Sequence, residues 1–316
     1  MDDSELFAVQ NPRTGEMGYC CIMGALGTFF ALAVYLGPEG LDSYITVRDC
    51  DEDGDDTYDA TLDQKCLMVS FLDKSSQSKK DLDMVKALGL KLRGANAWPL
   101  FRSHLPGYHP WHLTADEADF LTLALDQSVE MAARVKAQPN LLETEGDGRM
   151  LVRIPGEAGG EISWKDEWIT PELPAEGPLV SMPDEVSLKR MRSSLPSKPM
   201  TWEVDLFYLP SPVKEGDRPY YPTTLFCVDS ASGFVFGIEL MGPEERAEAP
   251  IKLCQFFEKA GFLPTQLAVI KEEILEMLSP LAQDLGLKVR RVKRWKKLDK
   301  AKLSLFETFK QRGIGF

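Results

Sequence analysis

The sequence predicts two mixed α/β domains, an α+β domain over residues 1–180 and an α/β domain over residues 181–316. Three observations support this division. Strand-like and helix-like segments follow one another regularly in the later part, residues 138–180 are a linker and hairpin region rich in proline, glycine and acidic residues, and charge is unevenly distributed. A length of 316 residues is sufficient for two hydrophobic cores.

The charge distribution separates the two predicted domains. The chain has a net charge of −13, of which residues 1–180 carry −16 and residues 181–316 carry +3. An acidic domain repels nucleic acid, so we expect any binding to phosphate on the second domain.

The composition is typical of a soluble cytoplasmic protein. Hydrophobic residues make up 44% of the chain and charged residues 27%. No stretch of about 18 apolar residues predicts a membrane span, and the acidic start Met1–Glu5 differs from a signal peptide. The six cysteines form no Cys-x-x-Cys pair, which favours reduced thiols. We therefore expect no membrane association.

The first domain is predicted to begin with strands and to continue with helices. Thr114 and Glu117 form a capping box for a helix that ends near Lys136. Gly24 and Gly27 lack the lysine of a phosphate loop and predict a tight turn. The other expected strands and helices are Leu6–Val9, Gly18–Met23, Thr28–Tyr35, Pro38–Val47, Cys66–Leu72 and Lys79–Leu88.

Residues 49–60 match part of a calcium-binding loop. Ala60 stands where such a loop has its bidentate glutamate, which completes the oxygen shell of the ion. The sequence therefore favours a solvated acidic loop, with weak cation binding as the alternative.

Residues 96–113 contain all three histidines of the chain between several prolines and aromatic residues. This composition predicts a proline-stiffened loop packed over the core, with a binding loop as the alternative. A zinc site is a weaker interpretation, because no fourth ligand stands at a standard spacing. The candidate binding residues here are Arg102, His104, His109, Trp111 and His112.

The second domain is predicted to alternate its elements after a short helix that ends at Arg192. In the strand Thr201–Leu209, Trp202 faces one side of the sheet, while Glu203 and Asp205 face the other. Two more strands and then helix, strand, helix, strand and helix follow: Thr224–Asp229, Phe234–Leu240, Pro250–Ala260, Gln266–Ile270, Glu272–Leu285, Leu287–Val292 and Leu298–Phe309.

Three motifs of this domain resemble the first strands of an integrase core, a ribonuclease-H-like fold: Trp202-Glu203-Val204-Asp205, Phe226-Cys227-Val228-Asp229-Ser230 and Gly233-Phe234-Val235-Phe236. The resemblance covers about residues 200–310. It implies three antiparallel strands followed by helix-strand-helix-strand-helix, with a metal-binding carboxylate on the first strand.

The whole chain also resembles a two-domain family of uncharacterised bacterial proteins. The similar stretches are Gly24–Gly37, Asn96–Trp111 and Trp202–Leu240. This resemblance implies no particular activity.

The integrase resemblance implies a candidate catalytic set of Asp205, Glu272 and Glu307, with Asp299 as a second choice on the last helix. Two-metal cleavage of a phosphodiester uses several carboxylates to hold Mg²⁺ or Mn²⁺. Glu272 is one methylene longer than the usual aspartate and follows a lysine. It is also explained as a favourable negative charge at a helix start. No metal site is secure from the sequence.

Residues 288–302 contain nine basic residues and one acidic residue. Lysine and arginine neutralise phosphates, and a tryptophan can stack on a base. The same charges suit docking to a protein or to the acidic domain, or a solvated edge strand. The candidate binding residues are Lys293, Arg294, Trp295, Lys296 and Lys297.

These patterns favour a non-catalytic binding or interaction protein on a ribonuclease-H-like scaffold with a degenerate site. Its partner is expected to be a nucleic acid or a protein. The alternative is a nuclease that uses Mg²⁺ or Mn²⁺, the cofactor only that activity requires.

Overall fold

The computed structural model of the protein describes residues 5–53, 57–143, 146, 148–158, 161–174 and 180–311. The chain divides into a first unit, Met1–Pro106 with Pro110–Pro174, and a second unit, Gly107–His109 with Ala175–Phe316. Each unit contains one mixed sheet. Among the described residues, no helix is long and apolar enough to cross a membrane.

The first unit is built on a seven-stranded sheet. Its strands are β1 (Leu6–Gln10), β2 (Met17–Met23), β3 (Phe30–Leu36), β4 (Cys66–Leu72), β5 (Trp98–His104), β6 (Met150–Ala158) and β7 (Glu161–Ile169). Their order is β5-β4-β3-β2-β1-β6-β7, with β1 and β6 parallel and the other neighbours antiparallel. The helices are α1 (Gly37–Asp53), α2 (Tyr58–Leu62), α3 (Lys79–Ala87) and α4 (Ala115–Ala137).

Both faces of this sheet are packed with apolar side chains. Phe120, Leu121 and Met131 of α4 belong to one buried cluster, and Leu41 and Tyr44 of α1 belong to another. The alternation of side chains along β1 to β4 supplies both clusters. The predicted capping box of Thr114 and Glu117 is confirmed at the start of α4.

The expectation of a loop over residues 96–113 is wrong for its first part. Trp98–His104 pairs with β4 along its whole length, from Leu72 opposite Trp98 to Cys66 opposite His104. β5 lies at the edge of the sheet, where Pro99, which has no N–H to donate, is tolerated. The prolines and histidines of residues 96–113 are typical of a loop, so composition alone does not predict this strand.

The expectation of one acidic loop over residues 49–60 is also wrong. Helix α1 continues to Asp53, and α2 begins at Tyr58. Residues 54–56 lie outside the described residues. Local helix formation therefore displaces the extended, ligand-presenting conformation of a calcium loop.

The second unit is built on a five-stranded sheet. Its elements are α5 (Glu185–Ser194), β8 (Ser197–Tyr208), β9 (Thr223–Asp229), β10 (Val235–Met241), α6 (Ala249–Ala260), β11 (Leu263–Val269), α7 (Glu272–Leu285), β12 (Lys288–Arg291) and α8 (Leu298–Gln311). The strand order is β10-β9-β8-β11-β12. β9 is antiparallel to both of its neighbours, whereas β11 is parallel to β8 and β12.

Alternation along β8 divides the second unit into two cores. Trp202 stacks on Phe236 with ring centroids 4.3 Å apart, in the larger cluster that includes α6 and α7. Phe207 and Phe226 belong to a smaller cluster under α8. Because successive strand residues point to opposite faces, Asp205 lies on the α8 side, as does Phe207.

Candidate functional site

Asp205 is the buried centre of a cluster of charges in the second unit. Its side chain is only 5% exposed. The Lys302 Nζ lies 3.5 Å from one carboxylate oxygen and the Lys271 Nζ lies 4.0 Å from the other. One carboxylate thus faces two ammonium groups.

Each lysine has a second contact that positions its ammonium group. Lys271 directly precedes α7, and its Nζ donates to the carbonyl of Leu206 at 2.7 Å. Lys302 lies on α8, with its Nζ 3.9 Å from the ring centroid of Phe207. A cation over an aromatic face is stabilised by the ring quadrupole. Both ammonium groups are therefore held on the face of the sheet that carries Asp205.

Glu203 is a buried carboxylate that caps α8. It accepts backbone N–H groups of Lys296, Lys297 and Leu298 at 2.8, 2.9 and 2.8 Å. These N–H groups have no partner within the helix, and the helix dipole favours a negative charge there. Glu203 therefore fixes the start of α8 and the chain that leads into it.

Asp299, in the first turn of α8, is affected by the nearby charges of Lys302 and Glu203. Burial raises the pKa of its carboxyl, the Lys302 ammonium lowers it, and Glu203 raises it again. The net result is a pKa above the ordinary value of 3.8.

Glu272 and Glu307 do not join Asp205 in a ligand set. Glu272 pairs with Arg291, whose guanidinium nitrogen lies 2.9 Å away, and Glu307 is exposed on α8. Within the part of the chain that the structure describes, no group of three His, Cys, Asp or Glu side chains is placed to hold a metal ion.

Residues 288–302, the basic segment, comprise β12, the connection to α8 and its first turn. The side chains of Lys293, Arg294, Lys296 and Lys297 are exposed. Trp295 is partly buried and packs against both clusters of the second unit. The segment therefore presents cations to solvent while its tryptophan anchors it.

The candidate residues of the region 96–113 are divided between the units. His109 belongs to the second unit, where it stacks on Tyr221 with ring centroids 6.0 Å apart. His104 lies on β5 and pairs with Cys66. Trp111 exchanges two backbone hydrogen bonds with Ser103, at 2.8 and 3.0 Å.

Arg102 forms a bidentate ion pair in the first unit. Its guanidinium donates to the two oxygens of Asp81 at 3.0 and 2.8 Å. Asp81 also completes the capping box of α3 with Ser78. Burial raises the pKa of Asp81, but the hydrogen bonds from Arg102 and Ser78 outweigh it and lower the pKa to about 2.

Asp81→Asn is expected to lower the free energy of unfolding by about 2 kcal/mol at neutral pH, since each pKa unit corresponds to about 1.4 kcal/mol. The pKa of this carboxyl is lowered on folding, so its contribution is full above its unfolded value of 3.8 and falls as the pH drops toward about 2. Urea unfolding of both proteins between neutral pH and about pH 3 measures the difference, which should shrink with acidity. An unchanged difference would contradict this account.

Sequence reasoning missed Lys302 and the capping role of Glu203. Lys302 stands within the apolar stripe of α8, one turn after Leu298 and one turn before Leu305 and Phe306. A lone cation in such a stripe indicates a buried partner. No signal in the sequence pairs Glu203 with backbone groups more than 90 residues later.

Comparisons with known proteins agree with this two-part organisation. Residues 1–153 match a domain of unknown function, DUF7309, and residues 187–306 match another, DUF6930. The two matches fit the two-domain family of uncharacterised proteins that the sequence resembles. A search of curated proteins finds no match.

Among solved structures, the chain is similar to the catalytic core domain of HTLV-2 integrase in complex with magnesium. The trimeric form is 15% identical with a TM-score of 0.28, and the match covers 39% of this chain and 77% of that chain. The dimeric form is also 15% identical with a TM-score of 0.25, and covers 37% and 72%.

Proposed function

We propose that the second unit is a non-catalytic, ribonuclease-H-like module that binds single-stranded nucleic acid along the basic segment. The observation that carries the proposal is the pairing of Asp205 with Lys271 and Lys302. The strand directions of the five-stranded sheet support the choice of a ribonuclease-H-like scaffold. Its first three strands are antiparallel, and the next two run parallel to the first.

The residues around Asp205 do not fit Mg²⁺ or Mn²⁺. Such ions require several oxygen ligands, and neighbouring positive charges oppose their binding. Here two ammonium groups lie within 4.0 Å of the Asp205 carboxylate. The ammonium groups supply the charge compensation that a metal would otherwise provide. This arrangement favours a nucleic-acid-binding function over metal-dependent cleavage.

The capping of α8 supports the choice of partner. Glu203 holds the backbone of Lys296 and Lys297, so their exposed side chains project from a fixed chain. Fixed cations lose less conformational freedom when they bind phosphates than mobile ones do. Single strands suit the segment because a strand can follow an irregular line of cations.

The full chain is expected to bind a labelled single strand of about 16 nucleotides with an affinity that falls steeply between about 50 and 200 mM salt. Alanine at four positions should reduce the salt slope by about three, because each phosphate contact in a single strand contributes about 0.7. Fluorescence anisotropy over a salt series measures both. The four positions are Lys293, Arg294, Lys296 and Lys297.

A matched variant removes four exposed cations elsewhere in the second unit and should bind as the unmodified protein does. Its positions are Lys189, Arg190, Lys214 and Lys259. Equal loss in both variants, or no binding at low salt, would overturn the nucleic-acid proposal. Cleavage of the strand with Mn²⁺ that Asp205→Ala abolishes would instead establish the nuclease alternative.

A further inference from the structure

A cavity of about 310 Å³ lies in the first unit among α3, β5 and α4. Ligand pockets usually have volumes of about 300–1,000 Å³ and mostly apolar walls with a few polar groups. The walls here follow that composition, with Asp81, His112 and Thr122 among apolar neighbours. The apolar lining includes Met84, Leu88, Leu90, Phe101, Leu121 and Leu125.

Four of these apolar side chains are unusually exposed. Met84 is 45%, Leu88 67%, Leu90 49% and Phe101 37% exposed. A partner that covers such apolar surface stabilises the complex by about 25 cal/mol for each Å² removed from water. Exposed apolar side chains that gather around one concave site mark a binding surface.

Helix α3 is held in place by polar contacts. Asp81 is its only buried residue, and the capping box and the Arg102 ion pair anchor it. The apolar side of α3, with Met84 and Val85, faces the cavity, as does Leu88 directly after the helix. A helix usually packs its apolar stripe against the core. Here a bound molecule would supply that packing.

The charges near His112 favour an anionic head group. Burial lowers the pKa of His112, and the positive charges of Lys80 and Arg102 lower it further, against an opposing effect of Asp81. The imidazole is therefore neutral at neutral pH and retains one N–H donor. Arg102 is already paired with Asp81, so the remaining positive charge near His112 is that of Lys80, which favours a negative head group.

We propose that this cavity binds a small amphipathic carboxylate, whose aliphatic tail packs against α3 and whose head accepts a hydrogen bond from His112. A volume of about 310 Å³ lies at the lower end of the range for ligand pockets and suits a small ligand such as an unbranched chain of about ten carbon atoms. This site is independent of the proposed nucleic-acid binding by the second unit.

Isothermal titration of the full chain with decanoate tests the site, with decanol and decylamine as probes of the head group. Decanoate should bind more tightly than decanol, and decylamine should bind least. Ala118→Phe places a ring at the exposed mouth of the cavity on α4 and should reduce decanoate affinity roughly 10-fold or more, by excluding the tail.

One control variant and one second test variant separate blockage of the cavity from unfolding. Ala133→Phe makes the same change at an exposed position of α4 outside the cavity lining and should leave decanoate binding unchanged. Leu88→Glu changes a residue that is 67% exposed and should weaken binding by placing a charge against the tail.

His112→Phe should lower the affinity for decanoate roughly 10-fold, as expected for a hydrogen bond to a charged group. The affinity for decanol should change by no more than about twofold. The proposal would be overturned by unmodified protein that does not bind decanoate, by decanoate binding to Ala118→Phe and Leu88→Glu at full affinity, or by equal effects of His112→Phe on acid and alcohol.

Discussion

Glu203→Ala is expected to lower the free energy of unfolding by about 3–5 kcal/mol, the range for removal of one partner from a buried charged interaction. Three backbone N–H groups at the start of α8 would lose their acceptor. One of them, that of Leu298, lies in a buried contact that water does not reach freely. The loss of the carboxylate also removes a favourable charge at the positive end of the helix.

Urea unfolding measures this loss, and Glu239→Ala provides the control. Glu239 is also a strand glutamate of the second unit, but it is 31% exposed and pairs with the ammonium of Lys252 at 3.4 Å. Its replacement should cost less than about 1 kcal/mol. Equal costs for the two variants would show that Glu203 is no more than a surface carboxylate.

The double replacement Lys271→Met and Lys302→Met is expected to destabilise the protein by about 3 kcal/mol or more at neutral pH. Methionine preserves much of the apolar stem of lysine, so the main loss is the two positive charges near Asp205. The Asp205 carboxylate is 5% exposed, and a buried charge that loses its compensation costs about 3–5 kcal/mol. Thermal and urea unfolding of the double variant measure the effect.

Addition of Asp205→Asn to the double variant should recover most of the lost stability. Asparagine is similar in shape to aspartate and carries no charge, so the reason for the penalty disappears. Asp205→Asn alone should cost less than the double variant, because Lys271 and Lys302 are 32% and 27% exposed and retain access to water. A triple variant no more stable than the double variant would refute the charge-compensation account.

Several features could be predicted from local sequence because they depend on residues close together in the chain. The capping box at Thr114 and Glu117 joins residues three apart. The alternation of Trp202, Glu203 and Asp205 follows from the two-residue period of a strand. The segments of the second unit were visible because each carries its own periodicity and turn residues.

β5 shows where local patterns fail. Pro99, His104 and the prolines and histidines that follow them indicate a loop, yet Trp98–His104 forms a full set of pairs with β4. Pairing with β4 and the edge position of β5 accommodate Pro99, which cannot donate to the ladder.

The sequence by itself determined which residues alternate in β8, where α4 begins, and that the basic segment carries nine cations. Tertiary structure alone decided what Asp205 faces. Lys271 reaches it because β11 lies parallel beside β8, and Lys302 reaches it because α8 packs over the same face. Contacts between such distant residues depend on strand order and on packing between elements, and neither has a local signature. For that reason the sequence pattern points to Glu272 and Glu307 as companions of Asp205, whereas the structure places two lysines beside it.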